Sequence, residues 1–320
     1  MGKRGGISGL ARFLTAEHPE QTSIKDTDLE VPPAKKRKTG PDTATQITLT
    51  PTHETSDWVQ SYDASGLVPH YVHSSEVPDH LQKYFAQRTR YFSLYEDGCL
   101  LDEEGWYSVT PERVADHIAE RCRCGTILDA FCGVGGNAIA FAKTCERVIA
   151  MDVSPTRLAL ARHNAQIYGV ADRIEFILGD YVSFAEAHLS TSAKSPRKID
   201  VIFLSPPWGG PGYLQGDTRP ASPVKATSVG EENVHPSYSL AFIQPIDGTE
   251  LFNLSRKITR NIAYYLPRNT SVQEIAGLIT EKTEPQEMVE IEEAWMSNKL
   301  KALTCYFGGL ADGQFELFDL

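Results

Sequence analysis

From Thr110 onward, short apolar runs alternate with stretches of helical spacing, and Gly, Pro or Ser punctuates each change. Thr126-Ile127-Leu128-Asp129 and Arg147-Val148-Ile149-Ala150-Met151-Asp152 are the first two runs, and others fall at 174–177, 199–204, 261–265, 289–292 and 303–307. Strands that alternate with helices of about 10–15 residues build parallel strand–helix–strand units. The pattern therefore predicts an α/β, doubly wound, Rossmann-like sheet with some antiparallel character near its end. A helix is expected from Pro111 with Thr110 as its cap, and another from Pro155 with Ser154 as its cap. Proline fits the first helical position, and a hydroxyl before it satisfies a free backbone N–H.

Ahead of this region the composition changes twice. Residues 1–55 are rich in Thr, Pro, Lys and Asp and almost free of aromatics, so they bury too little apolar surface to offset their ordering entropy and read as a disordered tail. Within it, Pro32-Pro33-Ala34-Lys35-Lys36-Arg37-Lys38 reads as a nuclear-import signal or an electrostatic contact to nucleic acid, against the plainer reading of a solubilising charge run. Aromatic density rises at Trp58, and residues 77–92 carry apolar side chains near helical spacing. Residues 56–109 are thus expected to form a small helical N-terminal lobe packed on the domain at 110–320. Surface loops are expected at 187–197 and 211–237, where Ser, Pro, Gly and Thr replace any apolar pattern.

The formal charge is −11, from 31 basic and 42 acidic residues. Residues 1–50 carry +2, which leaves −13 for the remainder. Such a balance argues against extensive non-specific binding of a nucleic-acid backbone, and DNA is not an expected partner, but a few local cations can still hold a small charged ligand. No stretch approaches the 18 or so apolar residues of a membrane span, and the start lacks the apolar core of a secretion signal. The six Cys (99, 122, 124, 132, 145 and 305) show no disulfide-scaffold spacing, which points to a reducing compartment. Cys122-x-Cys124 with Cys132 lacks a fourth ligand nearby, so no metal is expected.

Chemistry concentrates in two places. Asp129-Ala130-Phe131-Cys132-Gly133-Val134-Gly135-Gly136-Asn137 joins the first strand to its helix, and Asp152 follows Asp129 by 23 residues, one strand–helix–strand step. Glycines there admit a ligand close to the backbone, and a carboxylate ending the second strand can accept from both hydroxyls of a ribose. An ordinary tight turn with Asp152 as a cap is the structural alternative. An anionic lining suits a cationic nucleoside such as S-adenosylmethionine better than a dinucleotide with its pyrophosphate. Asp129 would face the ammonium group, the N–H groups near Gly133 and Gly135 the carboxylate, and Asp180 the adenine amino group unless it merely caps a helix.

The second place is Leu204-Ser205-Pro206-Pro207-Trp208-Gly209-Gly210-Pro211, which ends the fourth strand. Two prolines stop the strand and hold a rigid turn. Their carbonyls and Ser205 can accept the hydrogens of a planar amine, while Trp208 offers a stacking surface for the ring that bears it. Aligning an amino nitrogen with a methyl donor then needs no strong base.

Together these stretches resemble class I S-adenosylmethionine-dependent methyltransferases, and more narrowly the trimethylguanosine synthases, which hypermethylate RNA caps. The blocks that carry the resemblance lie at 83–88, 104–112, 129–137, 204–213, 265–269 and 298–301, within about residues 80–309. The resemblance implies two successive methyl transfers to N2 of a 7-methylguanosine cap, giving 2,2,7-trimethylguanosine, with S-adenosylhomocysteine as the other product. It implies small nuclear and small nucleolar RNAs as substrates, with ribonucleoprotein proteins as further partners; a monomer is expected, located in the nucleus and nucleolus with a cytoplasmic pool. Carried over residue by residue, Ser205, Pro206 and Trp208 become the catalytic set. Thr110, Pro111, Asp129, Phe131, Gly133, Gly135, Asn137, Asp152 and Asp180 would hold the cofactor. Trp208 would stack on the methylated guanine, and Lys83, Tyr213, Arg268, Asn269, Lys299 and Lys301 would surround the cap and its phosphates. Phe85 stands where the family has Trp, Gly212 where relatives carry Asp, and the 187–197 insert is longer than usual. The Ser-Pro-Pro-Trp block alone would serve amino-methylation of adenine or cytosine equally well, and a cap-binding module without activity is the non-enzymatic alternative.

Overall fold

The fold follows from where the apolar runs can be buried. A computed structural model describes residues 62–191, 198–209, 237–280 and 286–318. The chain divides at Gln60/Ser61, and every described residue belongs to the unit Ser61–Leu320. The basic cluster at 35–38, residues 192–197, and 210–236 with Tyr213 lie outside the described residues.

Seven strands form one sheet: β1 (Thr126–Asp129), β2 (Arg147–Asp152), β3 (Ile174–Leu178), β4 (Val201–Leu204), β5 (Ile262–Pro267), β6 (Glu290–Met296) and β7 (Lys299–Tyr306). Their order is β3-β2-β1-β4-β5-β7-β6, and the first five are parallel. β4 and β5 are buried along their whole length, as continuous apolar runs in a parallel sheet must be. β7 runs antiparallel to both β5 and β6. That pair is longer than the expected 289–292 and 303–307. Glutamates and lysines interrupt its apolar alternation because β6 is an edge, where charged side chains face water.

Eight helices of the described residues matter here: α1 (Gln82–Phe85), α2 (Arg88–Tyr91), α3 (Glu103–Ser108), α4 (Glu112–Arg121), α5 (Gly136–Thr144), α6 (Pro155–Ile167), α7 (Tyr181–Thr191) and α8 (Gly248–Arg256). Ser154 caps α6 through Arg157 N, with Pro155 in its first turn, as expected. Two expectations need correction. Residues 77–92 are not one helix but a 3-10 turn and the short helices α1 and α2, separated at Gln87, whose ψ of 11° leaves the helical region. Leu81 and Phe85 share a helical face, but the six-residue step from Phe85 to Tyr91 does not, so burying all three re-registers the chain. Thr110 does not cap α4, whose N-cap is Pro111; its hydroxyl accepts a hydrogen bond from Asn137 instead.

The N-terminal segment is tied to the sheet domain by packing. Phe85, Tyr95 and Trp106 are buried in the same apolar cluster as Val114, Phe141 and Phe203. Asn164 of α6 is fully buried between them. It accepts from Leu100 N at 2.7 Å and donates to the carbonyls of Leu100 and Val134, each at 2.9 Å.

Candidate active site

Strand order reverses between β1 and β4, and open α/β sheets bind ligands at the carboxyl edge beside such a reversal. The ends of β1, β2, β4 and β5 therefore deliver Asp129, Asp152, Ser205 and Arg268 to one edge. A cavity of about 750 Å³ opens there, lined also by Glu104 and Tyr107 of the N-terminal segment and by Thr110 and Pro111 just after it.

The cofactor end is built around the glycine-rich turn. Gly133 has φ 53° and open space where a Cβ would stand, so the backbone is left bare toward the cavity. Its N–H donates to Asp152 Oδ2 at 3.0 Å, and Ser154 N donates to Asp152 Oδ1 at 2.8 Å. Asp152 is thus fixed at the cavity wall, and a carboxylate's remaining lone pairs stay available. Asp129 sits behind this turn with no exposed surface and both oxygens lacking a hydrogen-bond partner among the described residues. Burial, with the charge of Asp152 second, pushes its carboxyl up to about 8. The nearby Phe131 N–H offsets part of this without reaching hydrogen-bond geometry. Asn137 Oδ1 is likewise buried without a partner among the described residues. An orphaned buried carboxyl, an orphaned amide oxygen and a bare glycine cradle fit a ligand carrying a cation and a carboxylate, as S-adenosylmethionine does.

The other half of the cavity is formed by Ser205, Pro206, Pro207 and Trp208. The Ser205 hydroxyl donates to Phe131 O at 3.3 Å, which links the two halves and leaves its oxygen able to accept. Trp208 is half-buried. Its ring lies 5.4 Å from that of Tyr265, tilted by 35°, and its carbonyl accepts from the Tyr238 hydroxyl at 3.4 Å. The indole is held by aromatic packing yet lines the cavity, which separates it from an ordinary core tryptophan.

Charge is polarised along the cavity. Glu104, Asp152 and Asp180 line the cofactor side, with Arg157 reaching Asp102 at 3.2 Å and also pairing with Glu104. Lys83, Arg268 and Lys301 line the opposite mouth. Burial, then the positive charges of Lys299, Arg268, Arg90 and Lys83, lower the Lys301 ammonium below the usual lysine range.

Of the residues expected from sequence, Lys83, Thr110, Pro111, Phe131, Gly133, Asn137, Asp152, Asp180, Ser205, Pro206, Trp208, Arg268 and Lys301 line this cavity. Asp180 also caps α7 by accepting from Ser183 N at 2.8 Å. Four expected residues do not line it. Asp129 lies buried behind it. Gly135, with φ 91°, serves close packing on Ala161, which a Cβ would meet at 3.1 Å. The Asn269 carbonyl accepts from Tyr238 N at 2.8 Å and steadies the turn after β5, and Lys299 is exposed outside the mouth. Tyr213 is outside the described residues. Sequence reasoning missed Arg157, Tyr107 and Tyr265, which also line the cavity. Arg157 left a legible sign: a cation in the first turn of α6 opposes the helix dipole and calls for a nearby carboxylate.

A family model and two curated relatives point to one family. A family model described as RNA cap guanine-N2 methyltransferase matches residues 124–219 and 232–310. The trimethylguanosine synthase of Schizosaccharomyces pombe is 37% identical over 236 residues, which span 72% of this chain and 87% of that protein. The trimethylguanosine synthase of Saccharomyces cerevisiae is 30% identical over 235 residues, spanning 71% of this chain and 67% of that one. Among solved structures, a SAM-dependent methyltransferase from Agrobacterium tumefaciens superposes with a TM-score of 0.42 at 16% identity, covering 62% of this chain and 63% of that one.

Proposed function

This chain belongs to the RNA cap guanine-N2 methyltransferase family, and from that premise we propose that it converts 7-methylguanosine caps of small nuclear and small nucleolar RNAs to 2,2,7-trimethylguanosine. It is an S-adenosylmethionine-dependent enzyme acting on N2 of the cap guanine. The observation that carries the proposal is the union, in one cavity, of an anionic cofactor end, an aromatic platform at Trp208 and a cationic mouth.

When bound, S-adenosylmethionine supplies a methyl group on a sulfonium centre. Asp152 would hold its ribose and the bare backbone at Gly133 its carboxylate, while Asp129, buried behind the glycine-rich turn, would balance its positive charge from there. Asp180 and Phe131 flank the adenine. Across the cavity, Trp208 stacks on the 7-methylguanine, whose positive charge favours an indole face by about 2 kcal/mol when desolvated. Ser205 and the Pro206 carbonyl accept the hydrogens of N2 and turn its lone pair toward the methyl carbon. With the cofactor bound, its sulfonium would be the leaving group as N2 takes the methyl group, and the proton that N2 gives up would pass to water. Alignment of the amine with the methyl donor, rather than a strong base, would supply the rate. Lys83, Arg268 and Lys301 hold the cap phosphates. We place the enzyme in the nucleus on the strength of Lys35-Lys36-Arg37-Lys38, acting as a monomer with ribonucleoprotein proteins as partners.

Replacing Trp208 by Ala tests the platform. Binding of 7-methyl-GTP should weaken about 30-fold, the equivalent of losing about 2 kcal/mol, while S-adenosylhomocysteine binding changes little. Equal losses for the two ligands, measured by calorimetry, would mean that the indole is only a packing element.

A further inference from the structure

Ion pairing in the described fold is uneven. Arg121, Arg147, Arg157 and Arg256 each meet a carboxylate, and so does Arg88, which pairs with Glu96 at 2.8 Å and lies over the Phe85 ring. Two residues further on, Arg90 is exposed and meets no carboxylate within 4.0 Å among the described residues. The same holds for Lys83, Arg268, Lys299 and Lys301. In an acidic chain, five unpaired cations are therefore gathered at one mouth of one cavity, close enough for four of them to act on the Lys301 ammonium. Like charges repel at such range, and an anion bound among them relieves that repulsion.

The five divide by position. Lys83, Arg268 and Lys301 line the cavity, whereas Arg90 and Lys299 stand outside it, each beside a residue that does line it, Tyr91 and Leu300. A cap is joined to its transcript through the triphosphate. With the guanine on Trp208 and the triphosphate on the inner cations, the RNA chain must leave across the outer ones. We propose that Arg90 and Lys299 form a second subsite, which binds the first phosphodiesters of the RNA body beyond the cap and makes the enzyme prefer capped RNA to an isolated cap. The subsite rests on the reading of the cavity as a cap site.

The test compares kcat/KM for a 7-methylguanosine cap dinucleotide and for a capped RNA of about ten nucleotides, in wild-type enzyme and in the full chain carrying Arg90→Ala and Lys299→Ala. The wild-type enzyme should favour the capped RNA, and the double variant should cut that preference about fivefold or more. The log–log salt slope for capped RNA should also become shallower by about 1.4, at ~0.7 per single-strand phosphate contact. A variant that loses equally on both substrates, or on neither, overturns the subsite while leaving the cap site standing. A wild-type enzyme that is inactive on both substrates overturns the cap site and the subsite together. Charge reversal at an exposed lysine remote from the mouth, Lys257→Glu, provides the control for net charge, and a matching loss of preference there would also overturn the subsite.

Discussion

Both oxygens of the Asp129 carboxyl are closed off from water, and no donor among the described residues satisfies them. The physical consequence is a pH dependence of known sign. The folded carboxyl is raised to about 8 from its ordinary 3.8, chiefly by burial. Between those values the folded cofactor-free protein holds a proton that the unfolded chain has released, so its stability falls as pH rises through that window and levels off above it. Asp129→Asn removes the charge at nearly constant shape. Thermal unfolding between pH 5 and 8 without cofactor should show a smaller downward slope in the variant than in the wild type, and the variant should bind S-adenosylmethionine more weakly. Parallel slopes would show that Asp129 is not strained in this way. Asp152 differs because two backbone N–H groups hold its oxygens at the cavity wall.

Elements rather than single residues set the cavity's shape, and α6 does most of this. Its N-terminal turn carries Arg157 to Asp102 and Glu104, while Asn164, two turns on, clasps Leu100 and Val134. The helix thereby locks the N-terminal segment to the glycine-rich turn. Asn164→Ala leaves three buried backbone groups without their partner, and about 3 kcal/mol of stability should be lost at ~1 kcal/mol each. The Michaelis constant for S-adenosylmethionine should rise with it, since the turn loses its anchor; a drop in melting temperature with that constant unchanged would limit Asn164 to a structural role. Much of this scale was legible in the sequence. β1, β2 and the cap of α6 fall where the apolar runs, Pro155 and Ser154 put them, because local chemistry decides them. Asn164 was not legible. A buried amide whose partners lie 64 and 30 residues away leaves no local pattern. The break at Gln87 and the true length of β6 and β7 were hidden for the same reason: packing and edge exposure, not propensity, fix them.

At the scale of the molecule, an acidic chain with −11 formal charge still sets five cations that meet no carboxylate among the described residues around one mouth of one cavity. The overall charge discourages binding along a long RNA backbone, while the cavity keeps an anionic end for a cationic cofactor and a cationic end for phosphates. Asp129, Asp152, Ser205 and Arg268 were legible because each stands at or just after the end of a parallel strand, and topology then gathers them at the sheet's carboxyl edge. Arg90 was not, since only folding brings it to the same mouth as Lys301. The central claim is that this cavity selects a methylated cap and methylates its exocyclic amine. Transfer of a labelled methyl group from S-adenosylmethionine to three RNAs of one sequence tests it directly: one with a 7-methylguanosine cap, one with an unmethylated guanosine cap, and one uncapped. The label should enter the first alone and be recovered, after digestion, as 2,2,7-trimethylguanosine. Label in adenine of the uncapped RNA, equal use of the two caps, or no transfer to the methylated cap would contradict it.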